Sequence, residues 1–180
     1  MALTLNGSNN TIAGLAVGGL PDGIVDTDTL AVGDRGRILQ IVQGTYSTEV
    51  SSTSSSLIDT GLSQAITPLK TGSSMFVLVC QHMYVYRHDT GQGFSLKLLQ
   101  DSTARYTPAH TYENYWSWAG VTDTSDRRRV ILTSYHSHGI SAGTSTTYKT
   151  QMHMHQDSES GTIKAQQGDS TSMITLMEVA

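Results

Sequence analysis

The sequence predicts an all-β protein: a jelly-roll-like antiparallel β-sandwich preceded by an extended N-terminal segment. Three observations lead there. Only 14% of the 180 residues are charged and 37% are hydrophobic; Ser, Thr, Gly, Gln and Asn supply the polarity, a mixture that suits strands and polar loops. No stretch keeps a 3.6-residue apolar period for three turns, as an amphipathic helix would. Residues 75–87 form the longest apolar run, rich in Val, Tyr and Phe and free of Gly and Pro. As a strand they would reach about 40 Å at ~3.3 Å per residue. The length suffices for one domain with a real core plus an extension.

The long run is apolar on both faces. Met75, Val77, Val79, Gln81, Met83, Val85 and Arg87 point one way; Phe76, Leu78, Cys80, His82, Tyr84 and Tyr86 point the other. A half-exposed strand would show one polar face throughout. Both sides are therefore expected to be covered at its start, one by a second sheet and the other by something such as a neighbouring subunit. Rising polarity from Gln81 onward predicts that the far end reaches solvent or loops. Cys80, the only cysteine, reads as a small buried hydrophobe and leaves no intrachain disulfide.

Residues 1–36 stand apart as an attachment segment, with 37–180 as the distal sandwich. The segment has no aromatic residue, seven glycines, and the acids Asp22, Asp26, Asp28 and Asp34. Leu3 and Leu5 alternate around Thr4 as a short strand, Asn6-Gly7 makes a turn, and Thr11 to Val17 pairs back. Pro21-Asp22-Gly23 is a second turn. So little apolar area cannot fold alone. Leu15, Val17, Leu20, Ile24, Val25 and Leu30 are still too many for an inert tail, so they are expected to anchor the chain on another protein.

From Arg37 the strands follow in order. Residues 38–43 come first, then a polar loop at 51–56. Residues 57–62 form a strand and turn, and 64–69 another strand whose Pro68 marks an edge or end. After 75–87, a turn at 90–93 returns residues 94–100 with Phe94, Leu96 and Leu98 on one face. A loop at 103–114 leads to the strand 115–119. Arg127–Arg129 precedes the strand 130–135, and 141–146 is a loop. Residues 147–155 turn Tyr148, Met152 and Met154 inward, and 162–165 and 172–179 close the chain. Eight to ten strands without a helix give a sandwich of jelly-roll type.

Charge and motifs then narrow the function. A net charge of −4 excludes a nucleic-acid partner, which would need clustered Lys and Arg. The N-terminus has neither the charged nor the apolar region of a signal peptide. No run approaches the ~20 apolar residues of a membrane span, so no membrane insertion is expected. Motifs for a nucleophilic Ser, a zinc hydrolase and a phosphate-binding loop are absent. The sparse distal carboxylates show no pairing for glycan cleavage, so no enzyme is expected, and Asp22, Asp26 and Asp28 lack a calcium-loop pattern.

Three clusters merit chemistry. His136-Ser-His138 and His153-Met-His155 each put two imidazoles on one side of a strand. His136 and His138 precede Gly139 and read as loop residues. His153 and His155 would form a transition-metal site only if several copies met at an axis; otherwise both are solvated and no cofactor is expected. Trp116 and Trp118 read as core, whereas His110, Tyr112, Glu113 and Asn114 are the surface candidates for a ligand such as a sugar. Arg127–Arg129, with Asp123 and Asp126 nearby, reads as a solvated turn with ion pairs or as a basic contact for a phosphate or a subunit.

The pattern Asn-Gly at 6–7, Ile12-x-Gly-Leu-Ala-Val-Gly-Gly-Leu-Pro-Asp-Gly23 and Asp26-x-Asp-x-Leu-Ala31 resembles the N-terminal segment of tailed-bacteriophage virion proteins. It is most similar to marine and cyanobacterial phage tail fibres. Thr133-Ser-Tyr135, Thr147-Tyr-Lys-Thr-Gln151 and Ile174-Thr-Leu-Met-Glu178 resemble their distal domain. The resemblance implies a homotrimer in the virion, assembled in the host cytoplasm, joined to other virion proteins through 1–36 and binding a host-surface glycan. In that family metal-bound histidine pairs occur at the fibre tip, which points to His153 and His155. No long shaft separates the two parts, which favours a short fibre, spike or decoration protein.

Overall fold

The structure is a computed structural model that describes residues 37–87, 92–109, 123–155 and 161–180 in full, and the backbone of 4–6, 11–13 and 115–116. The chain divides into two units, Met1–Arg35 and Gly36–Ala180. In the first, β1 (Thr4–Asn6) pairs antiparallel with β2 (Thr11–Ala13), with Leu5 opposite Ile12. Asn6, expected in the turn, belongs to the strand. The anchor residues Leu15, Val17, Leu20, Ile24, Val25 and Leu30 lie outside the described residues.

The second unit holds, among the described residues, β3 (Ile38–Tyr46), β4 (Val50–Ser52), β5 (Ile58–Ile66), β6 (Ser74–Arg87), β7 (Gly93–Gln100), β8 (Thr103–Tyr106), β9 (Tyr115–Trp116), β10 (Thr124–Ser137), β11 (Thr146–His155), β12 (Thr162–Ala165) and β13 (Ser172–Val179). The only helical turn among them is Gln167–Asp169. One sheet has the order β3-β13-β6-β10 and the other β5-β11-β7-β8. If β3, β5, β6, β7, β8, β10, β11 and β13 are counted as strands one to eight, the orders are 1-8-3-6 and 2-7-4-5. That interleaving of two sheets is the jelly roll. β12 pairs with the far half of β6 and β4 with β12; β9 pairs with the start of β7.

β6 is the centre of its sheet, and its burial alternates along all 14 residues. Met75, Val77, Val79, Gln81, Met83 and Val85 are fully buried. They pack with Leu62, Phe94, Leu96, Leu98, Tyr148, Met152 and Met154 of the opposite sheet. The period-2 reading of this strand therefore holds, but two inferences from it do not. The inward face stays buried to Arg87 instead of leaving for solvent after Gln81. The outward face is only half-buried within this chain, so Cys80, which points outward, is not a core residue.

Gln81 tolerates burial because its amide is satisfied. Thr60 and Thr150 hydroxyls meet at 2.5 Å, Thr150 donates to Gln81 Oε1 at 2.9 Å, and Gln81 Nε2 donates to Ser172 Oγ at 3.0 Å. Ser172 Oγ also accepts from the His82 backbone N–H. This chain links β5 and β11 of one sheet to β6 and β13 of the other. A satisfied network of this kind fixes how the sheets face each other, which an apolar core alone specifies less sharply.

Several boundaries differ from the expectation. β5 runs unbroken through Gly61, which sits at φ +86° within a bulge that carries two extra residues, where the β11 register shifts between Lys149–Ser63 and Gln151–Asp59. A Cβ there would lie 2.2 Å from Tyr46 Cε1, so only glycine fits. Ser51 and Ser52 pair with β12 and shorten the polar loop. Residues 103–106 form β8 rather than loop. Arg127–Arg129 lies inside β10, which pairs with β6 from Thr124–Arg87 to Ser137–Ser74. There Arg128 pairs with exposed Asp126 at 2.9 Å, a contact that adds little stability. Arg127 stacks over Tyr84, 5.8 Å from the ring centre.

Candidate functional site

The sheet order brings the starts of β6 and β11 to one end of the sandwich together with the ends of β7, β10 and β13. The densest polar cluster among the described residues sits there, and its sequence neighbours gave no hint of it. Glu178 is fully buried near the end of β13. Its Oε2 accepts from Gln40 Nε2 at 2.7 Å and the Leu69 N–H at 2.8 Å; its Oε1 accepts from the Lys70 N–H at 3.0 Å and Ser73 Oγ at 2.6 Å. Burial alone would raise this carboxyl's pKa, but these hydrogen bonds outweigh it and hold the pKa below its ordinary value.

Ser73 and His138, both buried, complete a group with the residue types of a hydrolase triad. The proton order is wrong for that chemistry. His138 Nδ1 accepts from the Ile140 N–H at 3.0 Å, so Nε2 carries the proton and donates to Ser73 Oγ at 2.8 Å. A triad needs the reverse, an Nε2 that takes the serine proton and an acid on Nδ1. Here the acid touches the serine, whose own proton is shared between Glu178 and the Lys70 carbonyl. The cluster ties β13 to the β5–β6 and β10–β11 connections.

His136 is committed in the same way. Ser134 Oγ reaches the Arg105 carbonyl at 3.3 Å and takes a hydrogen bond from His136 Nδ1 at 3.0 Å; Tyr148 OH lies 2.9 Å from His136 Nε2 and donates to it. Burial first, then the Arg105 charge, lowers the His136 pKa to about 4. Burial pushes the Tyr148 phenol up, which keeps its proton in place. His138 is thus buried and His136 half-buried, each with fixed partners, not the loop or solvated pair expected from Gly139.

One prediction follows from His136. Its folded pKa lies below the unfolded value of ~6.5, so the unfolded chain binds the extra proton between the two. Stability should be complete above pH ~6.5 and fall as pH drops toward 4. Solvent screening of this half-buried group reduces the effect to about 1–2 kcal/mol. Urea midpoints measured from pH 7 to pH 4 should show this slope, and His136→Gln should flatten it.

The other sequence candidates are placed as follows. His153 and His155 share the outward face of β11, opposite Ser95 and Gly93 of β7. Among the described residues no three His, Cys, Asp or Glu side chains gather to hold a metal. His110, Tyr112, Glu113 and Asn114 lie outside the described residues, as do the side chains of Trp116 and Trp118. Near His153 on the same sheet, Asp59 accepts from Lys149 and Gln151 at 2.8 and 2.7 Å beside a shallow depression lined by Gly61, Ser63 and Thr147. Arg87, at the far end of β6, is buried, and its Nε and Nη1 have no hydrogen-bond partner among the described residues.

No family model matches the chain, and no curated protein matches it. Among solved structures it is similar to the infectious bursal disease virus VP2 subviral particle, with 11% identity and a TM-score of 0.37 over 78% of this chain. It is also similar to the structure of the infectious bursal disease virus Gx strain, with 14% identity and a TM-score of 0.35 over 79%. The chain spans 37% and 39% of those two proteins.

Proposed function

We propose that the chain is a structural protein of a phage virion. In this reading it is a short tail fibre or spike that docks through residues 1–36 and presents residues 37–180, as a homotrimer, to a host-surface glycan. The observation that carries it is the jelly-roll strand order, an architecture shared by coat and carbohydrate-binding domains. The tail-fibre-like pattern of residues 6–31 points the same way. The buried Ser73–His138–Glu178 group supports it as well, because the most reactive-looking cluster is spent on holding strands together.

A second reading, a capsid or tail decoration protein without a receptor, is favoured by one feature. Four of the six exposed large hydrophobic residues among those described, Ile38, Ile41, Ile131 and Tyr135, belong to the β6 sheet, which suits protein contact better than sugar binding. Detection of the chain in purified particles, followed by binding of soluble protein to host cells, tests both. Cell binding supports the fibre; presence in the particle without cell binding supports decoration; absence from the particle overturns both.

A further inference from the structure

Strand pairing places side chains of one parity in rows on the outward face of the β6 sheet. One row reads Ile41, Met177, Phe76 and Tyr135; the next two read Gln43, Thr175, Leu78, Thr133 and Thr45, Met173, Cys80, Ile131. Beyond them come His82 beside Arg129, then Lys164, Tyr84 and Arg127. Ile38, Ile41, Ile131 and Tyr135 are 50–64% exposed, and they are four of the six exposed large hydrophobic residues among those described. All four lie on this face.

We propose that a second copy of this chain covers the outward face of the β6 sheet; the inference rests on the reading above that the protein self-assembles. Size is the first argument. Four strands ~4.8 Å apart and the 13 residues from Ser74 to Tyr86 at ~3.3 Å each give a face of roughly 800 Å². That extent matches the area each partner contributes to a standard stable interface, about 800 Å². Composition is the second. Phe, Tyr, Met and Arg supply seven of the 17 side chains in these rows, and no Asp or Glu stands in them, as in interface centres.

Charge selects the occupant. The face carries Arg127, Arg129 and Lys164, the last ion-paired within the chain to Glu49 at 2.8 Å, while the whole chain is −4. Setting the two arginines aside leaves the remainder of the chain at −6. Another surface of a neighbouring copy therefore supplies the acidity that this face lacks. A face that meets a different surface of the next copy makes a head-to-tail contact, the kind that closes into rings such as trimers.

Cys80, the sole thiol, lies in the third row of this face and reports its coverage. At about 10 µM the wild-type protein should scatter light as a multiple of 19.4 kDa, and its thiol should react with a disulfide reagent at least ~10-fold more slowly than an open one. Ile131→Glu with Tyr135→Glu, at two well-exposed positions, should leave the far-ultraviolet spectrum and urea midpoint unchanged, yield a monomer and free the thiol. Moderate salt should weaken the wild-type assembly. A wild-type monomer with a reactive thiol would overturn the proposal. So would an oligomer that survives both substitutions, a thiol protected in the monomer, or one protected only inside particles. The presence of the chain in particles is read independently, so failure of this interface leaves the virion reading standing.

Discussion

Glu178→Ala should lower the unfolding free energy by about 2–4 kcal/mol, since it removes a buried carboxylate to which four neutral donors hydrogen-bond. The loss has two parts. The Leu69 and Lys70 N–H groups lose their acceptor, and because both belong to exposed residues water can partly replace it, so each costs about 1 kcal/mol, the low end of the range for an unsatisfied donor. Ser73 and Gln40 keep alternative contacts to the Lys70 and Thr67 carbonyls, which limits the damage. A cavity remains near the end of β13, where the strand holds both β3 and β6. Glu178→Gln should recover only part of this, because its NH₂ must face one of the donors. The same carboxylate gives an acid signature. Its folded pKa is depressed, so its contribution is present above the unfolded carboxyl pKa of ~4.3 and is lost as pH falls below that. This window lies below that of His136. Denaturation at pH 7 with Glu178→Ala within about 1 kcal/mol of wild type would remove the network from any structural role.

The fold was readable because its strongest signals are local. The alternation of β6 and the inward set Tyr148, Met152, Met154 and Phe94, Leu96, Leu98 follow directly from a period of two. What the sequence hides is who pairs with whom. Gly61 looks like a turn because nothing nearby shows that Tyr46 lies against it or that β11 needs a bulge opposite. Arg127–Arg129 looks like a turn because three charges in a row rarely sit in a strand; the register with β6 leaves Arg127, Arg128 and Arg129 all exposed. His138 looks solvated because Ser73, which takes its hydrogen bond, is 65 residues away along the chain, and Glu178, which Ser73 contacts in turn, is 105 residues from Ser73. Polar clusters built from distant residues carry no pattern in the sequence, whereas apolar faces do. The outward apolar residues of β6 were legible for the same reason, and the expectation of a covering subunit came from them alone.

Val79→Asp and Cys80→Asp should differ sharply although the residues are neighbours in the chain. Val79 is fully buried and stands between Ile174 of β13 and Leu132 of β10. No polar group in that row answers a carboxylate, so Val79→Asp must either desolvate a charge or hold a neutral acid without partners. Either cost is above about 4 kcal/mol, against a total stability of about 5–15 kcal/mol for an ordinary domain. Loss of the folded state is expected, seen as insoluble protein or as a far-ultraviolet spectrum without strand signal. Cys80 is one residue further, and the pleat sends it to the other side. There an aspartate meets Met173 and Ile131 at a half-open surface. Cys80→Asp should therefore fold with a urea midpoint near that of wild type and lose the self-association assigned to that face. If Val79→Asp folds, or if both substitutions are equally destructive, the assignment of inner and outer faces to β6 is wrong.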